Sequence, residues 1–125
     1  MPISQKKIVI IDDDSEIRKM YGQKFSMQTN WQIFTARDGK EGLEMIKQLQ
    51  PDLILLDIIM PKIDGFDVLK KIKKNSALKN IPLIMLTNLA DQEDKDQALK
   101  RGANDYLVKA NYTPQQVCDL VKRFV

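Results

Sequence analysis

Residues 51–61 read PDLILLDIIMP, and this stretch decides the fold class. Residues 53–56 form an unbroken apolar run, which is typical of a parallel strand that is buried on both faces. Asp57 follows that run directly. A buried charge costs on the order of several kcal/mol unless it is paired or bound to a metal. We therefore expect Asp57 to lie at a wet edge of the sheet or to have a chemical function.

Short apolar runs alternate along the chain with segments of helical period, which indicates a parallel sheet flanked by helices. The predicted strands are residues 7–11, 31–36, 52–57, 82–87 and 105–108. The predicted helices are residues 15–28, 38–49 including a turn, 66–74, 91–101 and 114–125. The first has Asp14 or Ser15 as N-cap and carries Ile17, Met20, Tyr21 and Phe25 on one apolar face. The last begins with a capping box of Thr113 and Gln116, with Pro114 at the first helical position. We predict an α/β fold with five parallel strands and helices on both faces, forming one domain over residues 1–125.

Composition excludes several classes of protein. No segment approaches the roughly 18 apolar residues of a membrane span, and no secretory segment is present near the N-terminus, so we expect a cytoplasmic protein. The chain has one cysteine, Cys118, and no histidine, which excludes an internal disulfide, a zinc cluster and a histidine-based triad. The net charge of +3 comes from 20 basic and 17 acidic residues spread along the chain, so by itself it says little about a nucleic-acid partner.

Polar residues follow the predicted strands, at the edge where ligands of doubly wound folds bind. They are Asp12, Asp13 and Asp14 after the first strand, Asp57 at the end of the third, Thr87 at the end of the fourth and Lys109 after the fifth. Two carboxylates about 5 Å apart repel by about 3 kcal/mol at an effective dielectric near 20, so a cation is expected. Mg²⁺ is the natural partner, and Lys109 supplies a second positive charge. These groups together can transfer a phosphoryl group onto a carboxylate.

Four segments carry a resemblance to a known family. They are IIDDDS at 10–15, LLDIIMPKIDG at 55–65, IMLTN at 84–88 and DYLVK at 105–109. Over essentially its whole length the sequence resembles the receiver domain of a two-component response regulator, in the CheY-like superfamily. The resemblance implies a doubly wound (βα)5 fold with the flavodoxin-like strand order 2-1-3-4-5.

The resemblance also implies site residues. Asp57 is then the phosphoacceptor, and Lys109 and Thr87 assist the transfer. The Mg²⁺ ligands are Asp12, Asp13, Asp57 and the main-chain carbonyl of Ile59. Thr87 and Tyr106 are the switch residues: Thr87 moves to bond a phosphoryl oxygen, and Tyr106 turns into the space that is vacated.

The implied function is a signalling switch rather than a conventional turnover enzyme. A sensor histidine kinase or phosphotransfer protein donates the phosphoryl group, and the domain catalyses its own phosphorylation and slow autodephosphorylation. The surface of the fourth helix, fifth strand and fifth helix then changes. A downstream protein binds there, and a phosphorylation-dependent homodimer is possible; neither a membrane nor direct nucleic-acid contact is expected.

Two residues depart from the family pattern. Asn88 stands where a small residue usually follows the threonine, and Ala110 stands where proline, commonly in a cis peptide, usually follows the lysine. A non-proline cis peptide costs about 2.5–4 kcal/mol, so we predict a trans peptide between Lys109 and Ala110. We also predict that Ile59 and Asn88 hinder hydrolytic water and make the phosphorylated state long-lived.

The fourth predicted helix is expected to be loosely attached. Its only apolar anchors in DQEDKDQALKR are Ala98 and Leu99, and Gly102 is placed to cap its end. Favourable i,i+4 pairs of Asp91 with Lys95 and of Asp96 with Lys100 would each contribute a few tenths of a kcal/mol, roughly. Local charge pairing would then partly replace burial.

Other motifs have simpler explanations, and other functions stay open. Asp64 and Gly65 are most simply turn and cap residues, and KKIKK at 70–74 is most simply the wet face of a helix. A pseudo-receiver that only binds partners is the first alternative, because of Asn88 and Ala110. A phosphatase or flavodoxin-like redox protein is the second, but no phosphate-binding loop follows the first strand.

Overall fold

A five-stranded parallel sheet forms the centre of the computed structural model, which describes residues 5–125. The strands are β1 (Lys7–Ile11), β2 (Gln32–Ala36), β3 (Leu53–Leu56), β4 (Leu83–Thr87) and β5 (Asp105–Val108). The helices are α1 (Ser15–Gln28), α2 (Gly39–Leu49), α3 (Gly65–Lys74), α4 (Gln92–Lys100) and α5 (Pro114–Lys122), and a 3-10 turn spans Lys109–Asn111. The predicted alternation of strands and helices is confirmed, with boundaries that differ by at most three residues.

The strands lie in the order β2-β1-β3-β4-β5, and each neighbouring pair is parallel. The expected order is therefore confirmed. β1 and β3 are neighbours, with Ile11 opposite Leu56. The chain reverses its winding direction between these two strands, and such a switch point opens a crevice at the carboxyl edge of the sheet.

The core has two layers, one on each face of the sheet. Residues of β1, β3 and β4 alternate between the layers, because successive side chains of a strand point to opposite faces. One layer packs against α1 and α5 and includes Tyr21, Phe25 and Val117. The other packs against α2, α3 and α4 and includes Ile46, Leu69 and Ile72. The run at 53–56 is buried on both faces, as predicted.

Three details of the helices refine the sequence prediction. Of the two predicted N-cap candidates of α1, Asp14 fills the role, because its carboxylate accepts the N–H groups of Glu16 and Ile17. Met20 is 39% exposed, since the buried stripe of α1 follows Tyr21 and a neighbouring residue is turned about 100° away. Cys118 is fully buried in the core layer that packs against α1 and α5.

α4 is anchored even more weakly than predicted. Ala98 is buried, but Leu99 is 39% exposed because it lies about 100° around the helix from Ala98. Neither of the two predicted i,i+4 ion pairs forms among the described residues, where Gln92 instead donates a hydrogen bond to Asp96. Gly102 adopts a φ of 106° after α4, which confirms its capping position.

The start of α5 confirms the predicted capping box. The Thr113 hydroxyl accepts the N–H of Gln116, and the Gln116 side chain accepts the N–H of Thr113. Pro114 occupies the first helical position. Among residues 5–125, no helix is both long enough and apolar enough to cross a membrane.

Candidate functional site

Three carboxylates lie together at the carboxyl edge of the sheet. Asp12 and Asp13 follow β1 and Asp57 follows β3, so the adjacency of these strands brings the acids together. One oxygen from each residue lies within 4.8 Å of the others. Asp12 and Asp57 are 2% and 7% exposed, whereas Asp13 is exposed. The edge therefore holds two buried acids beside one that faces solvent.

Lys109 is the countercharge of the two buried acids. Its Nζ lies 2.5 Å from Asp12 Oδ2 and 3.0 Å from Asp57 Oδ2. The backbone contains no cis peptide among the described residues, so the Lys109–Ala110 peptide is trans, as predicted. The chain continues from β5 into the 3-10 turn at this point. The lysine reaches both carboxylates with Ala110 in place of proline.

The electrostatics follow from one ammonium shared between two buried carboxylates. Burial raises the pKa of Asp12, and the hydrogen bond from Lys109 offsets that effect only in part. Burial would by itself lower the pKa of Lys109, but its hydrogen bonds to Asp12 and Asp57 outweigh burial and raise the pKa. Lys109 is therefore held in its charged form, while the acids retain an excess of negative charge.

Backbone groups fix the orientation of both buried acids. The second oxygen of Asp12 accepts the N–H of Asp14 at 3.0 Å, and that of Asp57 accepts the N–H of Ile58 at 2.7 Å. Arg18 donates to the main-chain oxygen of Asp12 at 2.8 Å. Sequence reasoning missed Arg18, although its position one turn into α1 places it near the acids.

Gly65 allows a close backbone approach that the sequence did not reveal. A Cβ at this position would lie 2.3 Å from the main-chain oxygen of Asp57 and 2.7 Å from the Cα of Ile58. Asp64 caps α3 by accepting the N–H of Asp67, which confirms its interpretation as a cap. Gly65 thus lets α3 begin directly against the backbone of the candidate phosphoacceptor.

The loop between Asp57 and α3 also contacts the start of α2. Lys62 adopts a φ of 70°, and its Nζ lies 3.3 Å from a carboxylate oxygen of Asp38. Asp38 caps α2, and the N–H of Glu41 lowers the pKa of this carboxyl. A Cβ on Gly39 would lie 2.4 Å from the carbonyl of Ile63, which shows how closely the loop approaches α2.

Thr87 and Tyr106 are linked through the backbone of Leu89. Thr87 is fully buried, and its hydroxyl accepts the N–H of Leu89 at 3.3 Å. The Tyr106 hydroxyl donates to the carbonyl of Leu89 at 2.7 Å. Burial, followed by the charges of nearby acids, raises the pKa of Tyr106 to about 12. Thr87 forms no hydrogen bond with the carboxylates, although both groups lie at the same edge.

Two further residues from the sequence prediction flank the site. Ile59 follows Asp57 by two positions and is 59% exposed. Asn88 follows Thr87 and is exposed. Both side chains therefore face solvent around the acidic edge.

The donor set fits Mg²⁺. Asp12, Asp13 and Asp57 offer three hard carboxylate oxygens in one small region, and Mg²⁺ binds through carboxylates while keeping several waters. The exposure of Asp13 leaves the region open to water. No histidine exists anywhere in the chain, and Cys118 is buried in the core layer beside α1 and α5, so softer metals have no ligands here.

A β-sheet of this order with an acid trio and a paired lysine at its switch point defines a receiver-type signalling domain. The model of the response regulator receiver domain family matches residues 8–122. The chain belongs to this family.

Curated relatives and solved structures agree with that assignment. The chain is 40% identical over 114 residues to a probable transcriptional regulator ycf27 of Guillardia theta, covering 91% of this chain and 43% of the relative. It is 41% identical over 103 residues to the DNA-binding dual master transcriptional regulator RpaA of Synechocystis, covering 82% and 42%. The chain thus spans less than half the length of these curated relatives.

Among solved structures, the chemotaxis protein CheY4 of Vibrio cholerae superposes with a TM-score of 0.89 at 29% identity, over 98% of this chain and 100% of that one. The receiver domain of the Francisella response regulator 1452 gives 0.87 at 32% identity, over 96% of each chain. These neighbours share the expected CheY-like fold.

Proposed function

We propose that this chain is a phosphorylation-operated switch in which Asp57 accepts a phosphoryl group from the phosphohistidine of a sensor histidine kinase or phosphotransfer protein. The observation that carries the proposal is the cluster of Asp12, Asp57 and Lys109 at the switch point of the sheet. Asp57 is buried, fixed by a backbone N–H and mounted on a central strand, as a positioned nucleophile should be.

In the proposed transfer, a carboxylate oxygen of Asp57 attacks phosphorus as the P–N bond to the donor histidine breaks, and that nitrogen keeps the bonding electron pair. Lys109 lies 3.0 Å from Asp57 and offsets the negative charge of the phosphoryl oxygens. Asp12, Asp13, Asp57 and the carbonyl of Ile59 would hold Mg²⁺, which supplies further neutralisation of that charge.

The response proposed for the rest of the domain begins at Thr87. Its hydroxyl can turn toward a phosphoryl oxygen, and this movement disturbs the hydrogen bond that it accepts from Leu89. Tyr106 bonds the carbonyl of the same residue, so both switch residues act on one peptide segment before α4. Because α4 buries little apolar surface, a modest free energy can shift it.

The proposed output is the surface formed by α4, β5 and α5, to which a downstream protein binds or through which two phosphorylated copies pair. The proposal places this activity in the cytoplasm. The curated relatives are named as transcriptional regulators and are more than twice as long as the matched segment. A link to transcription is therefore proposed for the pathway, with no direct nucleic-acid contact by this domain.

The test is phosphorylation by a small-molecule phosphodonor, with and without Mg²⁺, followed by intact-mass measurement. We expect a gain of one phosphoryl group that depends on Mg²⁺ and is absent in Asp57→Asn. Asp64→Asn is the matched control, because it changes an exposed acid of the same loop and asparagine still caps a helix well. Modification of the Asp57→Asn variant to the wild-type extent would refute the assignment.

A pseudo-receiver is the second candidate, favoured by Asn88 and Ala110. The reach of Lys109 to both carboxylates, despite Ala110, supports the switch instead. A folded wild-type protein that neither binds Mg²⁺ nor accepts phosphate would support the pseudo-receiver. Size-exclusion chromatography of the phosphorylated and unmodified forms tests the proposed homodimer.

A further inference from the structure

The groove between α3 and α4 carries opposite charges at its two ends. Glu93 and Asp94 line the end near the carboxyl edge of the sheet, and we call them the acidic half. Lys70 and Lys74, on the outer face of α3, line the other end, and we call them the basic half. Arg101 borders both halves.

The polarity follows from the direction of the helices. α3 and α4 both follow strands of a parallel sheet, so they run in the same direction. Acidic residues near the start of a helix and basic residues near its end interact favourably with the helix dipole. Arg101 follows Glu93 by eight positions, so the two residues lie roughly 12 Å apart along the helix axis at 1.5 Å per residue. This separation exceeds the Debye length of about 8 Å at physiological salt, so a partner meets two distinct charged regions.

These charges are not used within the chain. Among residues 5–125, none of the four side chains of the acidic and basic halves forms an ion pair, and neither does Arg101. Lys73 differs from its neighbours, because its Nζ donates to the carbonyl of Lys79 and its stem lies against Gly102. The two halves thus remain available to a partner.

An aromatic–arginine pair lies at the middle of the groove. The guanidinium carbon of Arg101 is 5.7 Å from the centroid of the Phe66 ring, so the arginine is held over the ring. Aromatic residues and arginine are enriched at the centres of protein interfaces. The groove therefore combines a central anchor of interface type with a charged region on either side.

We propose that the α3–α4 groove is a self-complementary docking surface for a second copy of this chain. A two-fold axis through the Phe66–Arg101 pair places the acidic half of each copy against the basic half of the other, which is the requirement of an isologous interface. A polyanion such as nucleic acid fits only the basic half and is repelled by Glu93 and Asp94. The pairing is independent of phosphorylation at Asp57 and is separate from the proposed α4-β5-α5 dimer.

The experiment is sedimentation of the unmodified protein at low salt over a range of concentrations. Wild-type protein is expected to self-associate, more weakly as salt rises. The base-reversed variant Lys70→Glu/Lys74→Glu and the acid-reversed variant Glu93→Lys/Asp94→Lys should each raise the dimer Kd at least about tenfold. Far-UV circular dichroism checks the fold of each variant.

Two charge-swap experiments distinguish specific pairing of the acidic and basic halves from a general effect of net charge. A mixture of the base-reversed and acid-reversed variants should form heterodimers, and the variant with all four reversals should self-associate like wild type. The control Lys40→Glu/Lys47→Glu makes the same charge change on exposed positions of α2 and should leave the Kd unchanged.

Any of five results would overturn the proposal. Four concern self-association: a wild-type protein that stays monomeric at low salt, a mixture without heterodimers, a four-reversal variant that does not self-associate, and a control that weakens association as much as the groove variants. A fifth is binding of duplex DNA by wild type that is lost in the base-reversed variant, which would assign the basic half to nucleic acid instead.

Discussion

Replacing Lys109 by methionine removes the only positive charge that bonds the carboxylates of Asp12 and Asp57 among residues 5–125, while keeping a long apolar stem. The lysine side chain is 10% exposed, and those of the two acids are 3% and 8% exposed. Removing one partner of a buried ion pair typically costs about 3–5 kcal/mol, because it leaves buried charge without its compensating partner. In the absence of Mg²⁺, Lys109→Met should therefore lower the free energy of unfolding by about 3 kcal/mol at pH 7.

The loss should also depend on pH. Burial raises the pKa of Asp12 above its ordinary value of 3.8, and in wild type the hydrogen bond from Lys109 offsets part of that rise. Without the lysine the pKa of Asp12 should rise further, so the folded variant binds more protons than the unfolded chain as the pH falls. The destabilisation relative to wild type should therefore be smaller at pH 5 than at pH 7. Mg²⁺ should also reduce it, since it binds the folded state.

Urea denaturation at the two pH values, with and without Mg²⁺, measures these differences. Lys62→Met is the matched control: this lysine also pairs with a buried acid, but its side chain is 58% exposed. The control should lose less than about 1 kcal/mol and show little dependence on pH. A loss below about 1 kcal/mol for Lys109→Met at pH 7, or an equal loss at both pH values, would refute the reasoning.

Three further variants, the first with a matched control, test separate parts of the site. Gly65→Ala should lower the free energy of unfolding by at least about 1 kcal/mol and impair phosphorylation, because the added Cβ meets the Asp57 carbonyl. The control Gly22→Ala has open space around its Cβ and should raise the free energy of unfolding in urea by about 0.5–1 kcal/mol. Tyr106→Phe should remove a tyrosinate absorbance step near pH 12, and an unchanged titration contradicts the assignment. Because the pKa of Tyr106 is raised in the folded state, its neutral hydroxyl stabilises the fold fully below pH 10, and this contribution is lost as the pH rises toward 12. Ile59→Asn should speed loss of the phosphoryl group, timed by intact mass, and an unchanged or slower decay contradicts the proposed hindrance of water.

Periodicity in the sequence predicted the five strands and five α-helices of residues 5–125, and the family resemblance supplied the strand order. The apolar run at 53–56 indicated a central strand, and the capping box at Thr113 gave the start of α5. Details governed by side-chain direction were less accessible. Met20 and Leu99 were assigned to buried faces, but each lies about 100° from the residues that actually pack.

By itself, the sequence determined which chemical groups stand at strand ends. It placed Asp12, Asp13, Asp57, Thr87 and Lys109 at one edge, because all strand-to-helix loops of a parallel sheet emerge there. Such reasoning depends only on local patterns and on topology, so it required no coordinates.

Only the tertiary structure decided which of these groups touch. Asp12 and Lys109 stand 97 positions apart, and nothing in the sequence between them shows that they bond directly. The sequence also does not show that the backbone of Leu89 joins the hydroxyls of Thr87 and Tyr106. The close approach of Gly65 to the Asp57 backbone was equally hidden. These contacts depend on distances of a few ångströms between segments far apart in the chain, which the packing of the whole domain sets.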